Sequence, residues 1–121
     1  MLWYLLACGS DPYPTEVQTD KENYVVSYSN ENISLNEEFS LNFQIMNNDK
    51  ELVQPFSVEV DAAMPTHGHG MNQLPTVSQD GDSYIADGML FMMEGYWEIY
   101  VYILSEEGTV DQATFPYECC T

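Results

Sequence analysis

The sequence predicts an all-β, immunoglobulin-like sandwich of about seven strands in a single domain. Three observations predict this fold. Short segments alternate polar and apolar residues, turn residues separate these segments, and no stretch sustains the period of a helix. The chain has 121 residues and is 45% hydrophobic, which is enough for one domain with a buried core.

The alternation is clearest in residues 38–45, where every second side chain is apolar. Asn47-Asn48-Asp49-Lys50 then supplies a turn. We expect further strands over residues 24–28, 56–62, 83–92, 97–103 and 109–115, with hairpin-like turns at 80–82 and 106–108. The side chains expected to lie inside the sandwich are Phe39, Leu41, Phe43, Val58, Val60, Trp97, Ile99 and Val101.

The charge of the chain is strongly negative. It contains 20 acidic residues but only two basic ones, Lys21 and Lys50, which gives a formal net charge of -18. Such a surface repels phosphate backbones and anionic lipid headgroups, so we expect no nucleic-acid partner. The acidic residues are scattered among apolar ones, which indicates a folded acidic surface. This surface favours solubility in a salty or extracellular medium, and it also concentrates cations.

The first ten residues are apolar but too few to span a bilayer. Leu5-Leu6-Ala7-Cys8 resembles a bacterial lipobox, in which the chain is cut before the cysteine and the cysteine is acylated. We therefore expect a lipoprotein-type signal segment over 1–8, a tether over 9–21 and the sandwich domain over 22–121. The protein would be extracytoplasmic, attached to the membrane through the lipid on Cys8 only. The alternative is a hydrophobic N-terminal strand with a free Cys8.

Cys119 and Cys120 are adjacent near the end of the sequence. Neighbouring cysteines bond to each other only through a strained ring. Three other states of these cysteines therefore remain possible from the sequence: an intermolecular disulfide, a disulfide to Cys8, or two free thiols.

Both histidines of the chain lie in residues 64–71, Met-Pro-Thr-His-Gly-His-Gly-Met. In an extended segment His67, His69 and Met71 share one face, and the intervening glycines let the backbone bend around an ion. Imidazole and thioether together favour copper, with thioether especially favouring Cu(I). The alternative is a surface loop rich in glycine with incidental histidines.

A second group of methionines lies in residues 89–95, at the end of a predicted strand. A sandwich would bring this strand close to the His-Met loop. In a regular strand Met92 and Met93 point to opposite faces, so only one of them faces the loop. The alternative for these methionines is core packing, since methionine fills irregular gaps.

The sequence contains no pattern typical of an enzyme. Ser-His-Asp and Cys-His arrangements are absent, and the two histidines are too close together to act as a base and its orienting partner. No glycine-rich phosphate loop follows a strand. We therefore expect a binding protein without catalytic residues.

Met64-Pro65, the run from His67 to Met71, and the segment Phe91-Met92-Met93-Glu94-Gly95-Tyr96-Trp97 together resemble the YtkA-like domain family, which is related in pattern to FixH-like proteins. The resemblance covers residues 36–104. It implies an immunoglobulin-like sandwich on the outer side of the cytoplasmic membrane. It also implies a role in copper handling and cytochrome oxidase assembly, with a copper donor or acceptor such as an oxidase assembly factor as partner.

By this resemblance Met64, His69, Met71 and Met93 match the motif positions, and His67 stands where a second methionine is usual. A histidine in place of this methionine widens the range of copper oxidation states that the site can bind, from Cu(I) towards Cu(II). We expect the metal-binding residues Met64, His67, His69, Met71 and Met93 to converge in one small site of a copper metallochaperone.

Two other functions remain open from the sequence. One is a metal-free adhesion or assembly module, with Phe91, Tyr96 and other tyrosines as its contact surface. The other is a thiol redox protein that uses Cys119 and Cys120.

Overall fold

The computed structural model describes residue 13, residues 15–29 and residues 33–120. Within these ranges the chain forms nine strands and no helix, so the described part has no helix long and apolar enough to cross a membrane. The expected signal segment, including Cys8, lies outside the described residues. In chain order the strands are β1 (Thr15–Gln18), β2 (Val25–Tyr28), β3 (Phe39–Met46), β4 (Ser57–Met64), β5 (His69–Gly70), β6 (Thr76–Asp80), β7 (Ser83–Met89), β8 (Gly95–Leu104) and β9 (Val110–Cys119).

The strands form two antiparallel sheets. The five-stranded sheet has the order β1-β2-β3-β7-β6, and the four-stranded sheet has the order β9-β8-β4-β5. Both hairpins expected from turn residues are present, because Asp80 pairs with Ser83 and Leu104 pairs with Val110. The predicted β-sandwich is therefore confirmed.

The core lies between the two sheets. Its largest fully buried side chains include Trp97, Phe43, Phe91 and Phe115, and Phe115 stacks on Tyr28 of the opposite sheet with ring centroids 3.9 Å apart. Such aromatic pairs add to the free energy gained from burying their area. Of the eight side chains expected inside, Phe39 and Val58 are only partly buried against the core, and the other six are buried: Leu41, Phe43, Val60, Trp97, Ile99 and Val101.

In the described residues nine strands form, not about seven, because three short segments outside the expected strands also pair with neighbouring strands. His69–Gly70, in the expected metal-binding loop, forms β5. Thr15–Gln18, inside the segment expected as a tether, pairs with β2 and places Val17 against the core. Thr76–Asp80 forms β6, where only the following turn was expected. All three are short strands at the edges of their sheets. One expected strand is shorter than predicted, because the strand expected over 83–92 ends at Met89.

The end of the four-stranded sheet positions the candidate functional residues. His69 of β5 pairs with Met64 of β4, and directly paired residues place their side chains on the same face of a sheet. β8 starts at Gly95, two residues after Met93. The His-Met loop and the second methionine group therefore lie at the same end of the sandwich.

Candidate functional site

His69 and Met93 are in direct contact. The imidazole Nε2 of His69 lies 3.2 Å from Sδ of Met93, and Met93 is 41% exposed. The other ring nitrogen, Nδ1, lies 3.1 Å from the carbonyl oxygen of Gly70. The carbonyl oxygen and the thioether sulfur can both only accept, so the tautomer decides which ring nitrogen donates. When Nδ1–H donates to the carbonyl, the stronger acceptor, Nε2 of the neutral ring keeps its lone pair. A thioether sulfur and an imidazole nitrogen thus lie side by side at an exposed end of the domain.

A tight turn returns the chain from β4 to β5. The backbone N–H groups of His67 and Gly68 both donate to the carbonyl oxygen of Met64, over 3.1 and 3.0 Å. This turn brings His69 opposite Met64. Gly70 then passes so close to β4 that an added Cβ would lie 3.1 Å from the carbonyl oxygen of Ala62. The glycines of the motif therefore shape the backbone that presents His69.

Trp97 holds the backbone of Met93. Its indole Nε1–H donates to the carbonyl oxygen of Met93 over 2.9 Å. Trp97 is fully buried and stacks on Phe91 with ring centroids 4.3 Å apart. The edge of the same indole lies against His69, at a centroid distance of 6.2 Å and an interplanar angle of 79°. Sequence reasoning assigned Trp97 to the core and missed this positioning role, which its spacing of four residues from Met93 could have suggested.

The other three predicted donors have different surroundings. His67 is exposed, and its ring centroid lies 6.1 Å from that of His69. Met64 is fully buried, and Sδ of Met71 accepts a hydrogen bond from the backbone N–H of Leu90 over 3.3 Å. The structure thus brings His69 and Met93 into contact, keeps His67 close, and engages Met64 and Met71 in packing and hydrogen bonding.

The two neighbouring methionines have different surroundings, although both lie between β7 and β8 and not in a strand as expected. Met92 packs against the core, whereas Met93 extends outwards to His69. Met89 is fully buried. The core-packing interpretation therefore applies to Met89 and Met92, and Met93 alone of this group faces the His-Met loop.

Harder ligands do not gather at this end. In the described part of the chain, no three or more His, Cys, Asp and Glu side chains are grouped so that they could hold a metal ion. The two donors in contact at this end are a thioether and an imidazole. This donor set fits copper and lacks the thiolate or carboxylate cage that zinc prefers.

The structure joins Cys119 to Cys120 by a disulfide. Sequence reasoning favoured other states of these cysteines. Cys119 is only 4% exposed, at the end of β9, and Cys120 packs against the same core. Cys119 is therefore buried at the end of the domain, and Cys120 is partly buried beside it.

Phe91 was expected to be part of a contact surface in the metal-free alternative. It is instead fully buried between Trp97 and Phe39, the latter with its ring centroid 5.1 Å away. Its role is core packing.

Comparison with protein-family models, curated proteins and solved structures finds no match to this chain. The YtkA-like assignment therefore stays a prediction from the motifs.

Proposed function

We propose that this protein is an extracytoplasmic, non-enzymatic copper-binding protein that receives and passes on copper. The observation that supports the proposal is the 3.2 Å separation between Nε2 of His69 and Sδ of Met93 at an exposed end of the sandwich. Metal bonds to nitrogen and sulfur are about 2.0 to 2.3 Å long, so two donor atoms at this separation can reach one ion. His67 is the third donor, because it is exposed on the adjoining turn.

Copper is the cargo of this site. Thioether and imidazole donors bind Cu(I), and a second imidazole extends the range to Cu(II). Without a thiolate the bound ion exchanges more readily, as a protein that hands copper to a partner requires. The net charge of -18 assists by concentrating cations around the domain.

The proposed setting is the outer side of a bacterial membrane. A lipid on Cys8 would keep the domain there, and a copper donor or acceptor, such as a cytochrome oxidase assembly factor, would be its partner. These parts of the proposal rest on the lipobox-like sequence and on the resemblance to YtkA-like domains.

Titration with Cu(I) against a competing chromophoric chelator tests the proposal. We expect Met93→Leu to weaken Cu(I) binding by about tenfold or more, equivalent to about 1.4 kcal/mol, because it removes the sulfur donor that contacts His69. Met92→Leu is the matched control. It removes the neighbouring sulfur, which packs against the core, and should change the affinity by less than about twofold.

His69→Gln should weaken copper binding as strongly as Met93→Leu does. The copper affinity of the wild-type protein should also fall at acid pH, because protonated imidazole cannot bind a metal. A wild-type chain that takes no copper from the chelator, or a Met93→Leu variant with unchanged affinity, would refute the proposal.

A further inference from the structure

The outer face of the four-stranded sheet carries tyrosines and carboxylates. Trp97, Ile99, Val101 and Ile103 of β8 point into the core, so the alternating residues Tyr96, Glu98, Tyr100 and Tyr102 lie on the outer face. The pairing register adds carboxylates beside them. Asp61 of β4 pairs with Tyr100, Glu59 of β4 pairs with Tyr102, and Glu118 of β9 pairs with Tyr96. We call these seven residues the tyrosine-carboxylate face.

Hydrogen bonds fix the centre of this face. The hydroxyls of Tyr96 and Tyr100 each donate to a different carboxylate oxygen of Glu98, both over 2.9 Å. The rings of Tyr100 and Tyr102 lie 6.1 Å apart at 31°. Burial, and then the hydrogen bond to Glu98, raise the pKa of Tyr100 to about 12, so its hydroxyl remains a donor at neutral pH. The rings are thus ordered in advance, which lowers the entropy lost on binding.

The negative charge of this face has no compensating cation on its own sheet. The strands β4, β8 and β9 contain no lysine or arginine. Lys50 pairs with Glu16 of β1 in the other sheet, over 2.6 Å, and Lys21 follows β1 in the turn before β2. Within the described part of the chain, no ion pair joins the four carboxylates of this face to a lysine, although the backbone N–H of Lys21 donates to Asp111 of β9.

We propose that the tyrosine-carboxylate face binds a cationic, arginine-bearing segment of a partner protein. A guanidinium group stacks on tyrosine rings and also binds carboxylates through two parallel hydrogen bonds. Lysine matches the charge but lacks this planar geometry, so arginine is preferred. The face starts three residues after Met93, so a partner bound here would lie beside the His69 and Met93 pair. The proposal does not depend on copper binding.

Titration of the metal-free, isotope-labelled protein in the presence of a chelator tests the inference. The probes are two synthetic peptides in which glycine alternates with either arginine or lysine, and the measurement is amide chemical-shift change by NMR. We expect the largest shifts in β4, β8 and β9, and about threefold or greater preference for the arginine peptide. Because no metal is present, failure of the copper proposal leaves this result unaffected.

Matched charge variants separate this face from the general acidity of the chain. Asp61→Asn with Glu118→Gln removes two charges from the face, and Asp80→Asn with Asp82→Asn removes two from the exposed turn between β6 and β7. We expect the first pair to weaken arginine-peptide binding by about fivefold or more and the second pair by less than about twofold. Tyr102→Leu removes a ring without changing the charge, and it should reduce the preference for arginine over lysine.

If the two double variants lost equal affinity for the arginine peptide, the proposal would be overturned, since the peptide would then respond only to the net charge of the protein. Equal affinity for the two peptides, or shifts centred outside β4, β8 and β9, would overturn it as well. Amide spectra of each variant without peptide show whether the fold is retained.

Discussion

Gly95 connects the candidate metal centre to the core. Its φ is +133°, and a Cβ added there would lie 2.8 Å from Cε of the fully buried Met64. Gly95→Ala combines backbone strain with a steric clash, so we expect it to lower the free energy of unfolding by about 2 to 4 kcal/mol in urea titrations. Gly81→Ala is the control, because Gly81 has φ +62° but open space around it.

Gly81→Ala should lower the free energy of unfolding by only about 1 kcal/mol, because it strains the backbone without a steric clash. If the two alanine variants lost equal stability, the contact between Gly95 and Met64 would have no energetic role. The side chain of Met64 would then have room to move away.

Met71 tests whether a sulfur that already accepts a hydrogen bond contributes to copper binding. Its sulfur accepts a hydrogen bond from the backbone N–H of Leu90, whereas the sulfur of Met93 faces His69. We therefore expect Met71→Leu to weaken Cu(I) binding less than Met93→Leu does, in the same chelator competition. Met71→Leu should instead reduce stability by about 1 kcal/mol, because it leaves the N–H of Leu90 without this acceptor. If Met71→Leu and Met93→Leu had the same Cu(I) affinity, the prediction that Met93 matters more for copper binding would be wrong.

At the scale of elements, Asp111 of β9 holds the turn between β1 and β2. It is 3% exposed, and its carboxylate accepts hydrogen bonds from the hydroxyl of Thr19 over 2.7 Å and from the backbone N–H groups of Lys21 and Gln112 over 2.8 and 2.9 Å. Burial alone would raise the pKa of Asp111, but these hydrogen bonds, with one from the backbone of Asn23, lower it overall.

A lowered pKa in the folded state stabilises the fold above the ordinary aspartate pKa of about 3.9, and this contribution is lost as the pH falls through the lowered value. We expect Asp111→Ala to cost about 2 to 3 kcal/mol at neutral pH and progressively less below about pH 4, as measured by urea unfolding. Asp80→Asn, at an exposed turn position, should show no comparable pH-dependent loss. A cost for Asp111→Ala that stays constant to pH 3 would contradict this prediction.

The long strands that sequence reasoning predicted have their own alternating pattern, whereas the short β2 was predicted although its four residues are all buried. β3, β4 and β8 alternate over at least eight residues, and burial follows this alternation. β1 and β6 have four and five residues, and β5 has two, so their own sequences contain too little pattern to distinguish a strand from a loop. They exist because neighbouring strands offer them backbone hydrogen bonds, which a sequence pattern does not record.

At the scale of the whole molecule, the sequence could predict which donors are present but not how each would be oriented. Met92 and Met93 do have different surroundings, but they lie beyond the end of β7, so the two-residue period of a strand is not the reason. The sequence does not reveal that Met64 would be enclosed in the core or that the sulfur of Met71 would meet the N–H of Leu90, because both depend on contacts between distant segments. The proximity of His69 to Met93 depends on the sandwich bringing the segment before β8 to the end of β4, where His69 of β5 pairs with Met64.

The net charge of -18 leads to a last prediction for the intact domain. In the described part of the chain the ion pair found is Lys50 with Glu16, and both side chains are partly exposed, so it contributes little stability. Repulsion among carboxylates therefore dominates the surface electrostatics. Raising the ionic strength from 0.01 to 1 M shortens the screening length from about 30 to about 3 Å. We expect the melting temperature to rise by about 5 °C or more, mostly within the first few tenths molar NaCl.

Glu106→Gln with Glu107→Gln is the matched variant, because it removes two adjacent exposed charges from the turn between β8 and β9. It should raise the melting temperature at low salt and have little effect at 1 M NaCl, where screening has already removed the repulsion. NaCl and KCl should act equally at the same ionic strength, since screening does not distinguish the two cations. A melting temperature that falls with salt would show that attractive pairs outweigh repulsion, and the carboxylates would then be compensated in the folded state. Such compensation would also remove the excess negative charge on which the attraction of copper and of a cationic partner depends.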